Sequence, residues 1–142
     1  MITIEFGEPK HGWLPVALRT SAFELEFYAS DVPVNPLESL CEALAVVPFG
    51  GSAKVMWHLE PAVYWFAFEK QAEEASLLVI ESPLYNKSGT CILRLTGSVR
   101  DILLPFHKAL AEFASHQFSE KHWPSLAESR IKRLGQVLRS QH

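Results

Sequence analysis

The sequence predicts an α+β domain spanning residues 1–142: an antiparallel β-sheet of about seven strands, in the order β-β-β-α-β-β-β-β-α-α, with helices packed on one face. Three observations predict it. Apolar residues recur with period two in the first third and again between residues 53 and 97. Three other stretches carry apolar residues at helical spacing behind a capping residue. The later strands are joined by short turns, which favours an antiparallel meander over crossover connections.

The first three strands have one dry and one wet face. Ile2, Ile4 and Phe6 oppose Thr3 and Glu5; Val16 and Leu18 oppose Ala17 and Arg19; Phe23, Leu25 and Phe27 oppose Glu24, Glu26 and Tyr28. Gly7–Gly12 and a tight turn near Thr20-Ser21 connect them. Asn35-Pro-Leu-Glu38 then opens a helix, because Asn35 accepts an orphan backbone N–H and Pro36 supplies the helical φ. Its stripe is Leu37, Leu40, Cys41, Leu44 and Val47, and Pro48 with Gly50-Gly51 ends it. Four strands follow, at 53–59, 62–69, 76–82 and 90–97, turning at Glu60-Pro61, Gln71–Glu74 and Asn86–Gly89. Ser98-x-x-Asp101 opens a helix with the stripe Val99, Ile102, Leu103, Phe106, Leu110, Phe113 and Ala114. Pro105 inside it implies a kink or two abutting helices. Ser125-x-x-Glu128 is expected to cap a last helix with apolar Ala127, Ile131, Leu134 and Leu138, which Gly135 weakens slightly.

Composition narrows the function classes. Of 142 residues, 48% are apolar and 20% charged, close to the average for a folded globular chain, so disorder is excluded. Runs such as Ala62–Phe68 fall far short of a membrane span, and the first residues lack the basic start and long apolar stretch of a secretory signal. A cytosolic protein without membrane contact is expected. The net charge is −3, and the 15 acidic and 8 basic side chains of residues 1–120 contrast with a basic last segment holding Lys121, Arg130, Lys132, Arg133 and Arg139. A general nucleic-acid binder is not expected from this balance. The basic terminal helix is expected to lean on its own acidic body. Cys41 and Cys91 have no Cys-x-x-Cys spacing and read as two reduced thiols.

The later strands carry apolar residues on both faces. Val55, Trp57, Leu59, Val63, Trp65, Ala67, Leu77, Val79, Cys91, Leu93 and Leu95 are assigned to the side under the helices. The other side is then expected to carry Met56, His58, Tyr64, Phe66, Phe68, Leu78, Ile80, Ile92, Arg94 and Thr96. Exposure of so many large apolar side chains is unfavourable by about 1.5–3 kcal/mol each. Curling of the sheet, a second copy packed across a two-fold axis, or a groove for a ligand or partner would each relieve it. Met56, Tyr64, Phe66, Phe68, Ile80 and Ile92 are therefore the candidate partner or dimer interface, and His58, Tyr64 and Arg94 the candidate ligand-binding residues.

No catalytic motif emerges. Gly-x-Ser-x-Gly is missing, and Phe49-Gly-Gly-Ser52 follows a helix and lacks the spacing of a phosphate loop. His107 and His116, nine residues apart, fall on opposite sides of one helix. His58 and Glu60 share a strand face, but no third metal ligand can be placed. His122 falls in a loop and His142 is terminal. The expectation is no metal and no cofactor. Glu24/Glu26 and Glu73/Glu74 sit in wet surroundings unsuited to acid–base work.

The runs Gly12-Trp-Leu-Pro-Val-Ala-Leu18, Ser30-Asp-Val-Pro33 with Asn35-Pro-Leu-Glu38, and Trp57-His-Leu-Glu-Pro61 look like a family of small uncharacterised bacterial α+β proteins. The resemblance covers most of residues 12–70 and fades after Glu81. It implies a bacterial cytosolic source and the company of immunity or accessory partners of toxins, and it carries no catalytic residues. The expected function is a non-enzymatic interaction domain that self-associates as a homodimer or binds a protein partner through its aromatic sheet face, with an immunity-like role in view. The alternative is a small-molecule-binding protein or enzyme with a pocket between sheet and helices.

Overall fold

A computed structural model describes residues 2–141. Strands β1 (Thr3–Phe6), β2 (Trp13–Arg19) and β3 (Glu24–Ser30) precede helix α1 (Pro36–Val46) and a short 3-10 turn at Val47–Phe49. Strands β4 (Ser52–His58), β5 (Val63–Gln71), β6 (Glu74–Ser82) and β7 (Thr90–Ser98) follow, then helices α2 (Val99–Ser115) and α3 (Glu128–Arg139). The seven strands form one antiparallel sheet in sequence order, so the expected α+β architecture and element order hold. Apart from β3 and β4, which α1 and the 3-10 turn connect, neighbouring strands are joined by local connections, and sheet order follows chain order.

Local chemistry explains the helix starts. The Leu37 N–H donates to Asn35 Oδ1 at 3.0 Å, and the Asp101 N–H donates to Ser98 Oγ at 3.0 Å. Gly50, at φ +98°, takes the left-handed position after the 3-10 turn, as a glycine can without strain. Of the two arrangements expected at Pro105, the pair of abutting helices is corrected: α2 is one helix through Pro105, since a proline removes a single intrahelical donor and the flanking apolar stripe stays anchored in the core. Ser125 does not cap α3: its hydroxyl donates to Glu120 Oε1 at 2.9 Å, and the helix begins three residues later behind Ala127, which makes no side-chain cap.

The sheet is strongly curled. Six inter-strand spacings would hold β1 and β7 roughly 29 Å apart in a flat sheet. Yet α2 packs against β1, β6 and β7 at once, and a helix is only about 10–12 Å across. The edges therefore bend toward each other with α2 between them. β3 and β4 pair only at Ser30 and His58, and that short join separates a three-stranded half from a four-stranded half.

The concave side is the core. Trp57, fully buried, lies with its ring centroid 5.9 Å from Phe6, 5.9 Å from Phe27 and 5.3 Å from Phe66. Phe106 of α2 meets Phe66 at 6.1 Å and Phe68 at 5.1 Å, and Phe113 meets Phe6 at 6.4 Å. Two polar links tie α3 to α1 and α2. Arg130 Nη1 lies 2.9 Å from Glu38 Oε2 on α1, so the basic helix does lean on the acidic body. His107 on α2 bonds through Nε2 to the Ile131 carbonyl at 2.7 Å, and Gly135 lies directly against its ring.

Candidate interaction surface

Directly paired residues of an antiparallel sheet project on one side, so the register assigns every side chain a face. Val55 pairs with Phe66, Phe66 with Val79, and Val79 with Leu93; Ala53 likewise leads through Phe68 and Leu77 to Leu95. These rows line the core. The next rows face outward: Met56 pairs with Trp65, Trp65 with Ile80 and Ile80 with Cys91, while Lys54 leads through Ala67 and Leu78 to Arg94.

This corrects the faces expected for β5. Phe66 and Phe68 are fully buried under α2, and Tyr64 faces the same way, its ring 4.9 Å from Phe27. Trp65 and Ala67 take the outer face instead. The reason is the turn. Leu59 N–H donates to the Ala62 carbonyl at 2.8 Å around Glu60-Pro61, and a two-residue loop pairs odd-numbered with even-numbered positions. Trp57 therefore sits opposite Tyr64. Ile92 is also displaced: a bulge opposite Val79/Ile80 makes it the extra residue of β7, and it packs against the core, while Cys91 turns outward and is exposed. Of the expected interface, Met56 and Ile80 lie on the open face and Tyr64, Phe66, Phe68 and Ile92 do not.

The open face still carries an apolar centre. Met56, Trp65, Leu78 and Ile80 are half-buried, and none belongs to the core cluster. At one end the 83–89 connection folds against the sheet, with Gly89 set tightly against Ser82 and Ile80, and this covers Val63 and Ser82. Leu84 and Tyr85 of that connection are exposed beside the centre. Across the β3–β4 join the outer face continues with Trp13, Pro15 and Tyr28, the last 65% exposed. Next to them Arg19 stands among three carboxylates, 2.8 Å from Glu26, 3.6 Å from Glu24 and 3.7 Å from Glu5. The three carboxylates are largely exposed and Arg19 is half-buried, so these pairs stabilise the fold little, and the cluster keeps an excess of negative charge.

The three candidate ligand residues do not converge. Tyr64 faces inward and donates to Glu81 Oε2 at 3.1 Å; burial, with the bond to Glu81 and its charge, pushes the phenol up from its usual pKa. His58 and Arg94 point outward three strands and four residues apart, roughly 19 Å by strand spacing and rise. His58 Nδ1 has no hydrogen-bond partner among the described residues. Among the described residues no three His, Cys, Asp or Glu side chains cluster as a metal site. Burial drives the Cys41 thiol up to about 11, so it is unreactive. His11 and His122 do meet, with the His11 N–H donating to His122 Nδ1 at 3.1 Å, a contact sequence spacing could not reveal across 111 residues. His142 lies outside the described residues. No helix among them is long and apolar enough to cross a membrane.

No family model and no curated protein matches this chain. Among solved structures, it is similar to a chain of a CdiA-CT/CdiI toxin and immunity complex from Enterobacter cloacae, at 14% identity and a TM-score of 0.46, covering 77% of this chain and 98% of that one. At 14% identity the aligned side chains differ too widely to carry a residue's role across.

Proposed function

We propose that residues 1–142 act as one non-enzymatic protein-interaction domain whose outer sheet face binds a basic protein surface. The observation that carries this is the half-buried apolar row of Met56, Trp65 and Ile80, with Leu78 beside it, which lies outside the core cluster and which no helix or strand among the described residues packs over. The apolar centre occupies three strands, β4 to β6, about 14 Å by five residues of strand or roughly 240 Å², whereas a standard interface takes about 800 Å² from each partner. A partner must therefore reach past the apolar centre onto the Glu5, Glu24 and Glu26 corner, and that corner selects positive charge. An immunity-like role, with a basic toxin as the partner inside a bacterial cytosol, is the specific form of this reading.

The test compares the wild-type chain with Trp65→Asp and with Glu24→Lys/Glu26→Lys as affinity baits, followed by titration of the purified captured protein. A basic partner is expected whose affinity falls about thirtyfold with Trp65→Asp, the loss typical of a central tryptophan, and whose binding weakens with charge reversal and with added salt. Circular dichroism must show both variants folded. Binding indifferent to both substitutions overturns the proposal. A wild-type dimer in light scattering that Trp65→Asp splits assigns the face to a second copy, which also overturns it.

A further inference from the structure

The curl leaves both edges of the sheet unpaired, and it brings them to one place. Among the described residues β1 pairs only with β2, and β7 only with β6. Between them, above the first half of α2, is a cleft of about 440 Å³ whose walls include Ile2 beside β1 and Leu95, Thr96 and Gly97 of β7. β7 is nine residues long, and Gly97 bares its backbone at the cleft. An edge of that length presents a row of unpaired N–H and C=O groups, a template for another strand. Pro105 has no N–H to give, so the Asp101 carbonyl one turn earlier lacks its helix donor, and both residues line the cleft.

The charge around this cleft is opposite to that of the outer face. Arg100 and Lys108 of α2 line it, and Asp101 is the one acidic residue of that lining. Neither cation is in an ion pair among the described residues. Ile2, Leu95, Ile102 and Leu104 supply apolar surface between them. In a chain of net charge −3 this is a cationic corner built around bare backbone. A second copy would present the same positive rim to itself, so like charges disfavour a two-fold β7–β7 pairing.

We propose that the cleft between the two free sheet edges takes an extended acidic segment of a partner protein as an added strand. Backbone hydrogen bonds to β7 give the binding, alternate apolar side chains of the segment fill the floor, and its carboxylates face Arg100 and Lys108 at the rim. This site is separate from the outer face and does not depend on its role.

The probe is a hexapeptide alternating valine and glutamate, titrated into the ¹⁵N-labelled full chain at low salt. Shift changes are expected at Leu95, Thr96 and Gly97, with slowed amide exchange along β7. Affinity should be at least tenfold above that of the valine–lysine counterpart. A backbone N-methylated version, unable to pair, should not bind. Arg100→Glu/Lys108→Glu, both at exposed positions, should reverse the preference toward the lysine peptide. Absence of shifts at millimolar glutamate peptide, equal binding of both peptides, or binding by the methylated one overturns the proposal. So does protection of β7 amides through self-association in the absence of any peptide.

Discussion

His107 and Gly135 show how one contact fixes two residues. Sequence assigns Gly135 only a helix penalty, and against an alanine that penalty is about 0.8–1.0 kcal/mol. In the structure the glycine is the space into which the His107 ring fits, and a Cβ there would collide with its Cε1 and Nε2. Overpacking of that kind costs about 1–3 kcal/mol and outweighs the gain in propensity. Gly135→Ala is thus expected to lower the melting temperature by a few degrees, where an exposed helix position would raise it; calorimetry decides. His107 also sets an acid limit. Burial holds its pKa below the usual 6.5, the Ile131 carbonyl opposes that shift, and Arg139 adds to it. The unfolded chain takes up a proton near 6.5 and the folded chain only at lower pH. Stability is therefore full above about 6.5 and lost as pH falls toward the folded value, by up to about 1.4 kcal/mol per pH unit for one proton. Urea midpoints from pH 7.5 to 5 should show that slope, and His107→Gln, which keeps a donor for the Ile131 carbonyl, should flatten it.

At the scale of elements, β5 is where sequence reading and structure part. Val63–Phe68 is apolar at every position, so alternation offers no contrast between its two faces. The deciding signal lay in the next element: the turn at Glu60-Pro61 was legible, and its two-residue length dictates that Trp57 opposes Tyr64. Beyond the turns, the β7 bulge had no sequence signature, because no glycine or proline marks Cys91-Ile92. Two neighbouring aromatics consequently have opposite roles. Phe66→Asp is expected to unfold the protein: losing a buried phenylalanine alone costs about 3–5 kcal/mol, an uncompensated charge adds to that, and the whole fold is stable by about 5–15 kcal/mol. Trp65→Asp, one residue earlier on the open face, should leave the far-ultraviolet dichroism unchanged. Loss of signal in both variants, or in neither, would contradict the register.

For the molecule as a whole, sequence alone determined the α+β class, the order of the elements, the first three strands with their wet and dry sides, and the Asn35 and Ser98 helix starts. Those features depend on neighbours within a few residues, where periodicity, capping and turn chemistry operate. It also implied that the meander has apolar residues on both sides, and that its basic last helix returns to an acidic body, which Arg130 and Glu38 accomplish. Tertiary structure decided the rest: which side of β5 is inside, that His58, Tyr64 and Arg94 stand apart, that His11 meets His122, and that two sheet edges converge over α2. Each of these depends on curvature and register summed over several strands. A single-residue slip reverses a whole face, and no local pattern in the chain records the accumulated bend.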